Sequence, residues 1–503
     1  MASLVLALVI PACSSGGDDG SAPATESGAS STTRPGSGST SSSTSLPPVP
    51  TPTLAWENCG ENLDCATLIA PLDYRRPTET AGQVKLPVVR HRALSSKKRI
   101  GSLIVNPGGP GFGGTYLARG ARSLYGADIL QAFDIIGFDP RGTGGATPAV
   151  DCISEYDPYF GTDTGDSSPA GVAESIALAD EFAQACSTRT GESLGFVATE
   201  DTARDMDLLR RALGEETISY FGFSYGSELG AVWVTLFPDT VRAAVFDGAG
   251  DPDADMVQAS LDQAKGFEIA LNSFLDHCRT KCGFSANTDP GAKFDDIMRE
   301  IAENTYPTAD GRPVLNRSIA YTAVLHSLYS TRLWPKLDSA LSAADSGDGR
   351  PMLELYDDYY QRQPDGTYAN DIEAFIAITC LDSVRPQNAE VVTASADEIL
   401  AAAPRVGWAF LDNYTCLPWP VPARAPIQVV GTDRVAVMVV GTTNDPATSL
   451  ESTRRMASAL ARSVFVTVAG DGHTGYLQSE CAREIVGDYL VDLEIPKRDV
   501  TCD

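Results

Sequence analysis

A mostly parallel, doubly wound α/β sheet with a helical cap inserted between two strands is the architecture this chain of 503 residues predicts. Three observations carry it. Short β-branched runs alternate with helix-like stretches, a long amphipathic region late in the chain has almost no strand signal, and a Gly-Phe-Ser-Tyr-Gly turn sits between a strand and a helix. Apolar residues make up 43% of the chain and charged residues 21%, which is enough for a sizeable core.

At the N-terminus, Leu4 to Ile10 form an apolar run that ends at Pro11-Ala12-Cys13. The run is too short to span a bilayer but suits the hydrophobic part of a secretion signal. A small residue before a cysteine is similar to the lipobox of bacterial lipoproteins, which makes residues 1–13 the expected signal segment and Cys13 the expected lipidation site. Pro11 departs from that pattern and no Lys or Arg precedes the run, so a start further upstream is expected. From Ser14 to Thr53, 31 of 40 residues are Ser, Thr, Gly or Pro. Such a stretch cannot bury enough surface to offset its ordering entropy, so residues 14–55 read as a disordered linker, with folding expected from Trp56.

The cysteines also point to export. Setting Cys13 aside, the 11 cysteines leave an even number, spread as Cys59 and Cys65, Cys152 and Cys186, Cys278 and Cys282, Cys380 and Cys416, Cys481 and Cys502. With no CxxC pair and only four histidines, five sequential disulfides in an oxidising compartment are expected rather than a metal site, and no cofactor is implied. The net charge of −28 argues against nucleic-acid binding and against electrostatic docking on anionic lipid, leaving the lipid anchor as the expected membrane contact. An acidic surface either favours cationic ligands, such as peptides with a free amino terminus, or only keeps the chain soluble.

Strands are expected at Val84–Val89, Ser102–Val105, Phe133–Phe138, Thr217–Phe221, Ala243–Phe246, Val435–Val440 and Val464–Val468. Helices are expected between them, as at Thr202–Leu213 and Leu450–Ala461. From Pro252 to Trp408 the pattern turns to helical periodicity, as in Met256–Cys278 and Phe294–Asn304. The folded part therefore divides into a first sheet block (56–251), a helical cap (252–408) and a C-terminal sheet block (409–503).

Two G-x-S-x-G matches occur, and context separates them. Gly191-Glu192-Ser193-Leu194-Gly195 has no strand before it and reads as a loop. Gly222-Phe223-Ser224-Tyr225-Gly226 follows a strand and precedes a helix, which is the setting of a nucleophile elbow. Gly109-Pro110-Gly111-Phe112-Gly113-Gly114 matches a dinucleotide-binding fingerprint, with Asp139 as a ribose-binding acid, and would make the chain an oxidoreductase. Pro107 and Pro110 count against it, since each removes an N–H from a loop meant to cradle a pyrophosphate.

A serine nucleophile needs a base. His91 ends an early strand, and His277 and His326 fall within cap helices. His473 sits in Gly470-Asp471-Gly472-His473-Thr474-Gly475, directly after the last buried strand, where doubly wound sheets place their sites. Asp445, just past the penultimate strand, is the expected orienting carboxylate, with Asp471 as its competitor two residues from His473. The backbone N–H of Tyr225 and, to within one residue, that of Gly109 are the expected oxyanion donors.

These residues resemble the secreted tripeptidyl-aminopeptidase-like α/β-hydrolases of actinobacteria, relatives of the proline iminopeptidases. The matching motifs are Cys65-Ala66-Thr67 with Pro71-Leu72-Asp73-Tyr74, Asn106-Pro107-Gly108-Gly109-Pro110-Gly111 and Asp139-Pro140-Arg141-Gly142. Then come the elbow, Val245-Phe246-Asp247-Gly248, Asp445-Pro446, Gly472-His473 and the late pair Cys481 and Cys502. Family members often have a small or aromatic residue where Glu228 stands and a proline where Ser449 stands. The resemblance implies an acyl-enzyme mechanism, release of short peptides from a free amino terminus, and an acidic cap residue for the substrate ammonium. A carboxylesterase or lipase on the same fold is the alternative, and a catalytically silent surface lipoprotein is a third.

Overall fold

A computed structural model describes residues 46–77, 82–164, 168–411 and 414–503. Cys13, the signal segment and most of the linker lie outside the described residues. Ten strands form one sheet: β1 (Glu57–Gly60), β2 (Leu63–Pro71), β3 (Gln83–His91), β4 (Gly101–Asn106), β5 (Phe133–Phe138), β6 (Ile218–Phe223), β7 (Val241–Asp247), β8 (Val437–Asn444), β9 (Ser463–Asp471) and β10 (Val500–Cys502). Their spatial order is β1-β2-β3-β5-β4-β6-β7-β8-β9-β10. From β5 to β10 every pairing is parallel, while β1, β2 and β3 pair antiparallel and β3 joins β5 antiparallel.

The central strands explain why their sequences read so clearly. Every residue of β4, β5 and β6 is buried, as expected for parallel strands covered on both faces. Side chains alternate between two apolar layers: Ile104 and Ile136 join one, and Leu103, Val105 and Ile135 join the other. The seven expected strands are all present: Phe133–Phe138 is matched at both ends, the other six run one to four residues further at their C-terminal ends, and β6 and β8 begin one and two residues later than expected. β1, β2 and β10 were not expected. β1 has no apolar alternation and β10 is three residues long, so both owe their conformation to their neighbours. β2 pairs with β3 over nine positions, and disulfides close the two edges, Cys59–Cys65 across β1 and β2 and Cys481–Cys502 onto β10. The other three expected bridges, Cys152–Cys186, Cys278–Cys282 and Cys380–Cys416, are also formed.

Between β7 and β8 the chain runs through helices at Met256–Lys281, Pro290–Glu303, Arg317–Leu328, Trp334–Asp345, Arg350–Tyr359 and Asp371–Asp382, then shorter ones. Side chains cap several starts: Asp255 accepts from the N–H of Val257 and Gln258, and Asp289 from that of Ala292. These helices share a third apolar core, around Phe267, Phe274, Leu325 and Leu341. Residues 150–197, grouped by sequence with the first sheet block, add Val150, Tyr156, Phe182 and Leu194 to that same core. Two excursions from the sheet, after β5 and after β7, thus build the helical mass. No described helix is long and apolar enough to cross a membrane.

Both misleading motifs resolve into ordinary structure. Gly191–Phe196 is a 3-10 turn in which Ser193 Oγ donates to the Thr190 carbonyl at 2.9 Å. In the fingerprint-like loop, Asp139 accepts from the N–H of Thr115 and of Gly145, each at 3.0 Å. Its carboxylate is therefore spent on the backbone rather than turned toward a ribose.

Candidate active site

The carboxyl ends of β4, β6, β7, β8 and β9 each deliver part of the site. β6 ends at Phe223, and Ser224 takes φ 54° and ψ −128° before the helix Tyr225–Leu236 begins. A non-glycine residue at positive φ is strained, and the sharp turn lifts the serine off the strand end. The β4 loop crosses this turn closely. A Cβ on Gly108, whose φ is +98°, would lie 2.4 Å from the Phe223 carbonyl oxygen and 2.9 Å from Ser224 Cβ. Gly108→Ala is therefore expected to displace the elbow and lower kcat by about 10²-fold, measured on any turned-over chromogenic substrate.

Gly108 N–H donates to Asn106 Oδ1 at 2.9 Å. The N–H groups of Gly109 and Tyr225 make no hydrogen bond among the described residues, and both residues line the cavity that Ser224 lines. Two free backbone donors beside a serine are what a developing oxyanion requires.

Asp445 and His473 meet between the loops after β8 and β9. His473 Nδ1 lies 2.8 Å and 3.0 Å from the two Asp445 oxygens, and both side chains are buried. Asp445 also accepts from the N–H of Ala447, Thr448 and Thr474, so the loops after β8 and β9 are tied together at this carboxylate. With Nδ1–H donated to Asp445, Nε2 carries the basic lone pair, and it is buried without a partner. Ser224 Oγ makes no hydrogen bond to His473 among the described residues. Such catalytic bonds are often long before substrate binds. The competitor Asp471 instead accepts from Asn444 Nδ2. Of the other histidines, His91 lies beside Asn62, His277 packs on Trp334, and burial pushes His326 down to about 4.

Asp247 is a site residue that sequence reasoning passed over as a motif letter. It is fully buried at the end of β7 and accepts from the N–H of Gly475 and Tyr476, each at 2.8 Å. It thereby holds the loop that carries His473. Burial pushes its carboxyl up to about 7.

Residues 403–502 match the profile of TAP-like proteins, and residues 101–282 match that of the alpha/beta hydrolase fold. The chain is 30% identical to a tripeptidyl aminopeptidase of Streptomyces lividans, over 89% of this chain and 86% of that one. It belongs to the TAP-like α/β-hydrolases. Serine protease Hip1 of Mycobacterium tuberculosis is 33% identical over 87% of each chain. Carboxylesterase B of the same organism is 35% identical over 90% of this chain and 91% of that one.

Within the α/β-hydrolase frame, two cavities flank the elbow. The larger, about 460 Å³, is lined by Gly109, Ser224 and Tyr225 and by segments of the cap. Seven acidic residues line it against one basic residue, Arg424, so its lining is predominantly acidic. Several of the acids are committed: Arg455 pairs with Asp251 and Asp262, and Asp255 caps a helix. Glu228, on the elbow helix, makes no hydrogen bond or ion pair among the described residues. Its carboxylate is open to the cavity yet deep inside the protein, and burial together with the nearby Asp382 pushes it up to about 7. Asp382 ends a cap helix, accepts from Thr199 Oγ1 at 2.6 Å, and is pushed up to about 6, chiefly by burial. Thr199 in turn bonds the Tyr225 hydroxyl, so cap and elbow meet at this acid. Ser449, the other departure from the family pattern, caps the helix Leu450–Ala459.

Proposed function

We propose that this chain is an exported serine aminopeptidase that releases short peptides, of tripeptidyl or prolyl type, from free amino termini. The observation that carries this reading is the acidic chamber beside Ser224, with the uncommitted Glu228 carboxylate facing it. Peptides with a free amino terminus are the proposed substrates, and Glu228 with Asp382 is the proposed seat of the substrate ammonium. The five disulfides suit an oxidising compartment, and the lipid anchor at Cys13 remains part of the proposal.

In this mechanism Ser224 Oγ attacks the scissile carbonyl while His473 Nε2 takes its proton. The carbonyl oxygen becomes an oxyanion held by the N–H of Gly109 and Tyr225. The C–N bond then breaks as His473 returns the proton to the leaving nitrogen, and an ester on Ser224 remains. Water, deprotonated by His473, attacks that ester; the acid product leaves and Ser224 recovers its proton. Asp445 keeps Nδ1–H in place and stabilises the imidazolium through both steps.

The test compares p-nitroanilide release from a proline- or alanine-rich tripeptide with its amino terminus free or acetylated. Acetylation removes the charge and is expected to lower kcat/KM by about 10²-fold, the equivalent of one or two charge-assisted hydrogen bonds. Equal rates would favour an endopeptidase, and no release from either would favour ester hydrolysis, the activity named for the carboxylesterase relative.

The ratio of the two rates should also depend on pH. Both carboxyls are raised by burial, to about 7 for Glu228 and about 6 for Asp382, so in acid they are protonated and cannot pair with an ammonium. The free-to-acetylated ratio is therefore expected to rise from about pH 5 to pH 7, and to fall above about pH 8 as the substrate amine loses its proton. Taking the ratio cancels the pH dependence of the acyl-transfer steps, which both substrates share.

A further inference from the structure

The second cavity beside the elbow, about 280 Å³, is lined by Pro107, Phe223, His473 and Thr474 together with residues 329–332. It and the acidic chamber part at the same place: Phe223 faces one and Ser224 the other, Pro107 faces one and Gly109 the other. We infer that this cavity receives the leaving portion of the peptide and that Arg332 holds a carboxylate of that portion. The inference rests on the acyl-transfer reading above.

Chemistry assigns the side. His473 must hand its proton to the leaving nitrogen, so the leaving portion lies on the histidine's side of Ser224 and the acyl portion on the other. The two cavities have opposite electrostatics to match. The acyl side is lined by seven acidic residues and one basic residue, whereas the histidine side is lined by no acidic residue and by one arginine. A short peptide, with its ammonium at one end and its carboxylate at the other, would lie across the elbow in one direction only.

Arg332 is placed for this. It stands in the turn Thr331–Leu333, where Ser330 Oγ accepts its N–H. The preceding Tyr329 is fastened to the base, since its carbonyl accepts the His473 N–H at 2.9 Å and its ring meets the imidazole edge-on at 5.5 Å. Arg332 thus lies three residues along the chain from a residue bonded to the backbone of His473, and it lines the same cavity as the imidazole-bearing residue. The chain has 66 acidic and 38 basic residues, and many of its arginines pair with an acid, as Arg141, Arg312 and Arg317 do, whereas Arg332 is exposed at the mouth of this cavity. Arg332 makes no ion pair among the described residues. A free planar fork of N–H donors beside an apolar wall of Leu117, Leu124 and Leu477 suits a carboxylate carried on a small residue.

The test uses the full chain and the tetrapeptide Ala-Ala-Pro-Ala as free acid and as C-terminal amide, with tripeptide release followed by chromatography. The wild type is expected to prefer the free acid by about five- to tenfold in kcat/KM. Arg332→Gln should bring that ratio to about one, and Arg332→Lys should keep part of it. A merely structural effect would slow both peptides alike and leave the ratio unchanged. A second pair, amidated peptides with Asp or Asn after the scissile bond, distinguishes a side-chain carboxylate from the terminal one. A preference in either pair that Arg332→Gln abolishes supports the inference. No preference in the wild type, or a preference that survives Arg332→Gln, overturns it. If the wild type cleaves neither the tetrapeptides nor a free tripeptidyl p-nitroanilide, the aminopeptidase reading fails and this inference falls with it.

Discussion

Asp445→Asn is expected to lower kcat by about 10⁴-fold with the sheet intact. An asparagine at this position can turn its amide toward His473 Nδ1 and donate to it. The imidazole then carries its proton on Nε2, where it cannot accept one from Ser224. The substitution also weakens the links to the N–H groups of Ala447, Thr448 and Thr474, so a modest fall in melting temperature should accompany the loss. Steady-state p-nitroanilide kinetics alongside thermal unfolding separates the two effects. A loss of only a few-fold in kcat would mean that another group orients His473.

Arg141→Ala is expected to cost about 3–5 kcal/mol of stability, the largest effect of any single surface-distant substitution considered. Arg141 and Asp205 are both fully buried and joined by two hydrogen bonds of 2.7 Å. The guanidinium also donates to the carbonyls of Pro71, Leu72 and Phe196, and the Tyr74 hydroxyl donates to Asp205 at 2.7 Å. One side chain therefore joins the end of β2, the loop after β5 and the helix Thr199–Ala212. Its removal leaves an uncompensated buried carboxylate. Changing Asp205 to Leu in the same chain should recover part of the loss, because the stranded charge disappears with its partner. Denaturant unfolding of the single and double variants measures both. A single variant as stable as the wild type would show that the pair is not worth its burial.

What could be read from the residues follows from how each element is stabilised. Strands β4 to β6 carry their own signal, since burial on both faces demands continuous apolar runs. β1 and β10 carry almost none, because their pairing and disulfides lie outside their own few residues. Ser224, Asp445 and His473 can be singled out as candidates because each follows a recognisable strand, and a strand's carboxyl end has a fixed side. Glu228 stood out only as a departure from the family pattern. That it faces Asp382 depends on how a cap helix packs over the elbow, which local periodicity does not encode. The same holds for Val150, Tyr156 and Phe182, whose apolar side chains are visible in the sequence while their partners are not.

The most direct test of the central claim is to label the protein with a fluorophosphonate and map the adduct by peptide mass. The expected adduct is on Ser224, absent in Ser224→Ala and retained in Ser193→Ala. An adduct on Ser193, or labelling that survives Ser224→Ala, would contradict it.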